Sequence, residues 1–282
     1  MRRMVTTACR VYQQIGRSPG AFIGLHVLIL LAVITIVAPW ISPHDPYATF
    51  VGPPLTPPSR DFLLGTDHLG RDVASRLIYG GRLSLTIGLI SSVLSVILGI
   101  VVGSISGYLG GIIDSSLMRV VDVWLGFPPL LVALIVVMLL GKGIGTVIVA
   151  EGISGAPRIA RIVRGQILAV RETTFVESCR AVGVPVWRII TRHIVPNVIG
   201  PIIVLGTLQT ASAIIGAASL SYLGMGARPP VAEWGLMLNE GREYMRYAWW
   251  ISVFPGAMLF LTVMSVNLLG DRLRQMLDPR LR

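Results

Sequence analysis

The chain has 282 residues, 53% of them hydrophobic and 13% charged, with a net charge of +10 and a mean hydropathy of +0.74. A soluble domain carries roughly a quarter charged residues, so this composition excludes a soluble fold and places the chain in a bilayer. The positive charge flanks apolar runs, which reads as orientation in a membrane and not as nucleic-acid binding.

Residues 1–20 contain Arg2, Arg3, Arg10 and Arg17 and read as a cytoplasmic segment. The apolar run 21–39 is long enough to cross a hydrocarbon core of about 30 Å and reads as a retained first helix, not a cleaved signal. Residues 40–83 are rich in proline (Pro43, Pro46, Pro53, Pro54, Pro57, Pro58) and read as an extracytoplasmic loop ending in a short helix. Within it, Asp67, His68, Arg71 and Asp72 lack metal-ligand spacing and read as a salt-bridged turn.

Runs at 84–108, 121–140, 144–163 (the weakest), 198–220 and 249–270 complete six expected transmembrane helices. The second of the six carries Gly99, Gly103 and Gly107. Glycines four apart make a helix-packing face, serving either this chain or a second membrane subunit. The weak run is interrupted by Gly152, Gly155 and Pro157 and holds Glu151. An ionisable group at that depth faces a cavity or partner, or else snorkels to the interface. Glu151, Gln209, Thr210 and Ser212 are candidate pathway-lining residues, and the last three are equally candidates for hydrogen bonds to a neighbouring helix. A second outer segment, 221–248, contains Pro229, Pro230 and Trp234, and Trp249 and Trp250 follow at the place of an interfacial aromatic anchor.

Counted with the N-terminus inside, sixteen of the 24 basic residues lie on the cytoplasmic side. The outer eight are balanced by eight acids: Asp45, Asp61, Asp67, Asp72, Glu151, Glu233, Glu240 and Glu243. The bias in basic residues places both termini in the cytoplasm. Cys9 and Cys179, the two cysteines, support neither a disulfide framework nor a metal site. No phosphate-binding loop and no nucleophile elbow is present, so neither ATP hydrolysis nor any other catalytic residue is expected in this chain.

Residues 164–197 are basic and amphipathic, with no apolar run long enough to span. Phe175, Cys179 and Val182 fall at helical spacing, Gly183 and Pro185 should end or bend the helix, and a second amphipathic stretch runs from Trp187 to Val195. Two readings stand: an amphipathic pair lying on anionic lipid, or a helix offered to a cytoplasmic partner's groove.

Here the residues resemble a family. Glu177-Ser178-Cys179, Gly183 six residues after the glutamate and Pro196 thirteen after the glycine are similar to the EAA loop of ATP-binding-cassette import permeases. The chain departs from that pattern at Ser178 and Cys179, where alanines stand, and at His193 and Val195. Leu64-Gly-Thr-Asp-His-Leu-Gly-Arg-Asp-Val-Ala-Ser-Arg76 with Gly81-Arg-Leu-Ser-Leu85 resembles the segment before the second helix of dipeptide and oligopeptide permeases. Ala218-Ser-Leu-Ser-Tyr-Leu-Gly-Met-Gly226 and the ending Asn267-Leu-Leu-Gly-Asp-Arg-Leu-Arg274 with Asp278-Pro-Arg-Leu-Arg282 are similar too. Together these segments resemble the second, C-type permease subunit of that importer class over nearly all of the chain beyond residue 18.

The resemblance implies an all-α, six-span type I importer permease fold, with a core over 84–270 and a cytoplasmic tail at 271–282. It implies a homologous second permease, two ATP-binding subunits and an extracytoplasmic peptide-binding protein as partners, beside membrane lipid. ATP and magnesium would be held by the ATP-binding partners. Glu177, Ser178, Cys179, Ala181, Gly183 and Pro196 would form the coupling loop, with few bulky groups on its docking face. The cargo implied is a dipeptide or oligopeptide, with nickel or another small solute as the alternative. A self-sufficient secondary transporter, the rival from another class, would show inverted repeats and paired midplane charges, and neither is clear.

Overall fold

The computed structural model describes residue 16 and residues 18–277. Arg2, Arg3, Arg10, Arg17, Cys9 and the tail from Asp278 lie outside the described residues. Those described form an all-helical bundle without a β-sheet; one isolated β-bridge joins Thr66 and Asp72.

The first helix, α1, runs Pro19–Ile36, with proline in its first turn where a missing N–H costs nothing. Gly24 lets it close on the last helix: a Cβ there would stand 2.9 Å from the Ser265 carbonyl oxygen. A short helical turn, Ala38–Ile41, leads into the proline-rich loop.

The helix α2, Val73–Leu109, has 37 residues and a length of about 55 Å. It begins eleven residues before the expected run at 84, so the outer loop is shorter than expected. Asp72 caps it, accepting from the Ser75 amide at 2.9 Å. Arg76 and Arg82 lower the hydropathy of its first turns, which report bilayer depth and not helix length. The helix ends at Gly110 and Gly111, both at positive φ.

The expected single span at 121–140 is broken. Helix α3, Gly111–Leu125, and helix α4, Pro129–Leu140, meet at 98°. Pro128 and Pro129 lack amide hydrogens, and their rings exclude the helical path for the residues before them. A hydropathy scan does not register this break, because Phe127-Pro128-Pro129 is not polar.

Helix α5, Ile144–Arg171, extends the weak run by a further eight residues, so the first part of the expected 164–197 loop is α5 itself. Helix α6 is Thr174–Ala181. Helix α7, Val186–Tyr222, contains a π-helical segment at Ile190–Ile194. Helix α8 is Trp234–Gly241 and helix α9 is Trp250–Leu277. Four helices (α1, α2, α7 and α9) are long and apolar enough on their own to cross a bilayer, and the bent α3–α4 pair would make a fifth. Helix α5 has the length but carries Glu151, Arg158, Arg161 and Arg164.

Three apolar clusters hold the bundle. At one end, Val73, Leu77, Trp234, Met237, Ala248, Trp250 and Ile251 pack beneath the 43–72 loop. In the middle, Ile87, Val137, Val147, Ala217 and Leu220 join α2, α4, α5 and α7. At the other end, Tyr108, Ile159, Val163, Ile167, Val176, Ile189, Ile194, Val198 and Ile202 join α2, α5, α6 and α7. Meanwhile Leu89, Val93, Ile97 and Val101 of α2 remain exposed, as apolar side chains do where lipid or another membrane chain covers them.

The first end, here the cap, is also held by buried charge. The Glu240 carboxylate accepts from Arg71 at 2.8 Å and from Arg76 at 2.9 Å, while Asp67 pairs with Arg71 at 2.5 Å. Arg76 also donates to the Pro46 and Pro230 carbonyls. The Trp250 indole donates to the Thr66 carbonyl at 3.0 Å and the ring is buried, so this residue is a core anchor and not the interfacial one expected; Trp249 stays exposed. Glu233 caps α8, accepting from the Gly235 and Leu236 amides and the Ser84 hydroxyl. Burial pushes its carboxyl above the ordinary range, and those hydrogen bonds act in the opposite direction.

Candidate functional site

Glu177, Ser178, Cys179 and Ala181 lie on α6, and Gly183 follows in the turn that closes it. Helix α6 is short because its C-terminus is closed by a left-handed glycine. Gly183 has φ +75°, its amide donates to the Arg180 carbonyl at 2.9 Å, and the Val184 amide donates to the Cys179 carbonyl at 3.0 Å. That pair of bonds is the Schellman arrangement, and Val184 packs with Cys179 on the same apolar cluster, as the arrangement favours. Pro185 then prevents continuation of the helix. A Cβ at Gly183 would meet nothing within 4 Å, so the requirement is conformational, not steric. Gly183→Ala should therefore lower stability by about 1 kcal/mol, read as a lower melting temperature of the purified protein; an unchanged melting curve would show that the turn tolerates a Cβ.

Val176 and Cys179 face inward, whereas Phe175, Glu177, Ser178, Ala181 and Val182 face out. The expected stripe of Phe175, Cys179 and Val182 is thus split. Val182 is already the C-cap, so the inward stripe continues after the turn at Val184. The outward surface is also bulkier than expected: Val182 is 80% and Trp187 60% exposed, with Phe175 and Val186 beside them. Glu177 lies in the first turn of α6, where its charge complements the helix dipole.

Pro196 is exposed, on the first turn after the π segment. In an α-helix its missing amide would orphan the Arg192 carbonyl and its ring would press on it; the widened π turn accommodates both. Pro196 thus sits within α7, directly after the π turn that lets the helix continue past it.

Arginines of α5 tie this end of the bundle together, and Arg180 ties α6 to it. Arg164 grips Asp114 through two bonds of 2.6 Å, and Ser106 also donates to Asp114. Arg161 pairs with Asp122, and Arg171 donates to the Gly107 carbonyl at 3.1 Å. Arg180 reaches the Tyr108 hydroxyl at 3.2 Å and lies over its ring. None of these pairs was legible in the sequence: Arg180 and Tyr108 are 72 positions apart, and no local pattern links them.

Gly99, Gly103 and Gly107 lie against α5. A Cβ on Gly103 would fall 2.6 Å from the Ala160 carbonyl oxygen and 3.0 Å from the Arg164 nitrogen. The glycine face is therefore spent on packing within the chain, the first of its two readings.

The candidate pathway residues differ in exposure. Glu151 is buried, its carboxylate against Gly216 of α7. Gln209 is buried too, its amide against Gly155, beside Ser95, whose hydroxyl donates to the Gly152 carbonyl at 2.9 Å. Thr210 turns its hydroxyl back to the Gly206 carbonyl, and Ser212 is exposed. Gln209 lines a cavity of about 850 Å³ together with Arg158, Gln166 and Arg274.

A bundle with four self-sufficient apolar helices, a charged cap and a solvent-exposed amphipathic loop is a multi-pass integral membrane protein. The chain belongs to the family described as the inner membrane component of binding-protein-dependent transport systems, matched over residues 99–282. Residues 10–58 match the N-terminal transmembrane domain of oligopeptide transport permease C. It is 40% identical over 277 residues to the di/tripeptide transport system permease protein DppC of Pseudomonas aeruginosa, covering 96% of this chain and 91% of the relative. Identity is 47% over 256 residues to the glutathione transport system permease protein GsiD of Shigella flexneri serotype 5b, covering 90% and 84%. A chain of the inward-facing MetNI methionine ABC transporter has a similar fold, with a TM-score of 0.56, 20% identity, and coverage of 72% of this chain and 96% of that one.

Proposed function

We propose that this permease is one of two membrane subunits of an ATP-driven importer of small peptides, and that α6 with the turn at Gly183 is its coupling element. The peptide cargo is supported by the names of the relatives, one a di/tripeptide and one a glutathione permease. The single observation that carries the coupling role is the surface around α6: an eight-residue helix closed by the Gly183 turn, with Phe175 on the helix, Val182 at its C-cap and Trp187 just beyond the turn, at the start of α7, all exposed to solvent. Exposed aromatic and aliphatic groups on a short, stiff helix suit a partner's groove.

In this reading the loop end is cytoplasmic and the cap end extracytoplasmic. The bent α3–α4 pair counts as one crossing and α5 as another, giving six, with both termini inside. The charge bias supports this, since Arg158, Arg161, Arg164, Arg171, Arg180, Arg188 and Arg192 all belong to the loop side. A homologous permease completes the pathway, and an extracytoplasmic binding protein delivers cargo to the cap. Two ATP-binding subunits supply the phosphate loop and magnesium that this sequence lacks. Their closure on ATP moves α6 and the helices it packs on, opening the pathway outward, and hydrolysis resets it. This chain performs no chemistry; its residues transmit displacement.

Ala181 is exposed on the docking face. Ala181→Glu should leave membrane insertion intact and abolish the link between ATP turnover and transport when the four-subunit complex is assayed in proteoliposomes. A desolvated, unpaired charge at an interface costs several kcal/mol. Wild-type coupling in that variant would sink the docking role.

A further inference from the structure

We infer that Arg180 and Tyr108 form a seat that makes α6 move as one body with α2, so that displacement of the coupling helix reaches the far end of the bundle. The inference rests on the coupling role proposed above and adds the contact through which that role acts. Both are positioning residues in this reading, since each acts through the helix that carries it.

Helix α6 is held to the bundle by little. Val176 and Cys179 supply its apolar contacts, and Phe175 touches the His193 ring edge-on. Among the described residues, the bond from the Arg180 Nε to the Tyr108 hydroxyl is the one side-chain hydrogen bond joining α6 to another helix. The Arg180 guanidinium also stands 4.9 Å from the centre of the Tyr108 ring, within range of a cation–π contact. Tyr108 is itself buried in the cluster that contains Val176 and Ile189. A cleft of about 520 Å³ flanks the pair, bordered by Arg171, Val184 and Val186, so no other packing substitutes for it on that side.

The receiving helix is rigidly mounted. Tyr108 follows Gly107, whose carbonyl accepts from Arg171, and Gly99, Gly103 and Gly107 press α2 onto α5. From Tyr108 the helix runs without interruption to Asp72 at the cap, where Arg76 joins Glu240. A push on α6 delivered through Arg180 is therefore carried along α2 to the surface offered to the extracytoplasmic partner. Without the seat, α6 could tilt on Val176 and Cys179 while α2 stayed still.

The test uses the assembled importer in lipid nanodiscs, with Cys9 and Cys179 changed to alanine and spin labels at Thr174→Cys and Ile105→Cys. One narrow α6–α2 distance is expected, the same without nucleotide and after trapping with ATP and vanadate. Tyr108→Leu and Arg180→Ala should each broaden it, the seated population falling roughly tenfold relative to the unseated. Tyr108→Phe, which keeps the ring and loses the hydroxyl, should fall between. The double variant should be no broader than either single one, because both remove the same contact. A merely structural role would lower the melting temperature and leave the distance distribution narrow. Narrow distributions in both Tyr108→Leu and Arg180→Ala would overturn the seat while leaving the coupling role in place. Failure of the wild-type chain to assemble with ATP-binding subunits would remove the coupling role itself, and the seat with it.

Discussion

Glu240→Ala should destabilise the cap by about 3–5 kcal/mol, the cost of breaking one partner out of a buried ion network. The carboxylate holds two guanidiniums, Arg71 and Arg76, each only 1% exposed. Removing it leaves one acid, Asp67, at 2.5 Å from Arg71 and 3.6 Å from Arg76, with two carbonyls at 3.3 Å as the remaining support for the second arginine. Two cations would then sit side by side in a low-dielectric site with half their compensation gone. Domain stabilities are on the order of 5–15 kcal/mol, so the variant should melt well below the wild type in detergent and yield less monodisperse protein. Glu240→Gln, which keeps an acceptor oxygen but no charge, should lose less. A melting temperature for Glu240→Ala equal to that of the wild type would show that the network contributes nothing net.

Gly103→Leu should be as damaging at the opposite end. Even a Cβ there would stand 2.6 Å from the Ala160 carbonyl oxygen and 2.8 Å from the Val163 Cβ, and the former is backbone that cannot rotate away. Helices α2 and α5 would have to separate, and with them the Arg164–Asp114 and Arg171–Gly107 ties that need the close approach. Overpacking by a few methylenes costs about 1–3 kcal/mol where side chains can adjust, and more where the obstacle is a neighbouring backbone. Loss of folded protein by fluorescence-detected size exclusion is the expected outcome, with Gly103→Ala milder than Gly103→Leu. Wild-type yield and melting for Gly103→Leu would mean that the helices pack less closely than the structure shows.

Membrane residence, the positions of the apolar runs and the existence of the amphipathic loop were legible in the sequence because each depends on composition within one window. Burial of some twenty apolar residues or exposure of a basic stripe leaves a local trace. The turn at Gly183 was legible for the same reason: a glycine followed by Val184-Pro185 at a helix end is a short-range signal. The break at Pro128-Pro129 was written there as well, but hydropathy alone does not register it.

Other features depended on which segments meet. Phe175 and Cys179 have equivalent spacing in the sequence, yet one faces solvent and the other the core, because the orientation of α6 is set by what Val176 and Val184 can reach on α2 and α7. Gln209 and Ser212 are three apart and lie on adjoining parts of one side of the helix, yet Gln209 is buried and Ser212 exposed, because neighbouring helices cover the first and not the second. Trp250 and Trp249 look alike as interfacial anchors, and only the presence of the Thr66 carbonyl makes one of them a core residue.

By itself, then, the sequence determined that this chain is a helical membrane protein with a basic amphipathic loop, because hydropathy, charge bias and turn chemistry act over a few residues at a time; the importer-permease type of that loop came from its resemblance to a family. Only the tertiary structure decided that Glu240 neutralises Arg71 and Arg76, that Gly103 faces Ala160, and that Arg180 rests on Tyr108. Those partners lie from 57 to 169 positions apart, and such pairings follow from how whole helices cross, which no single stretch of the chain contains.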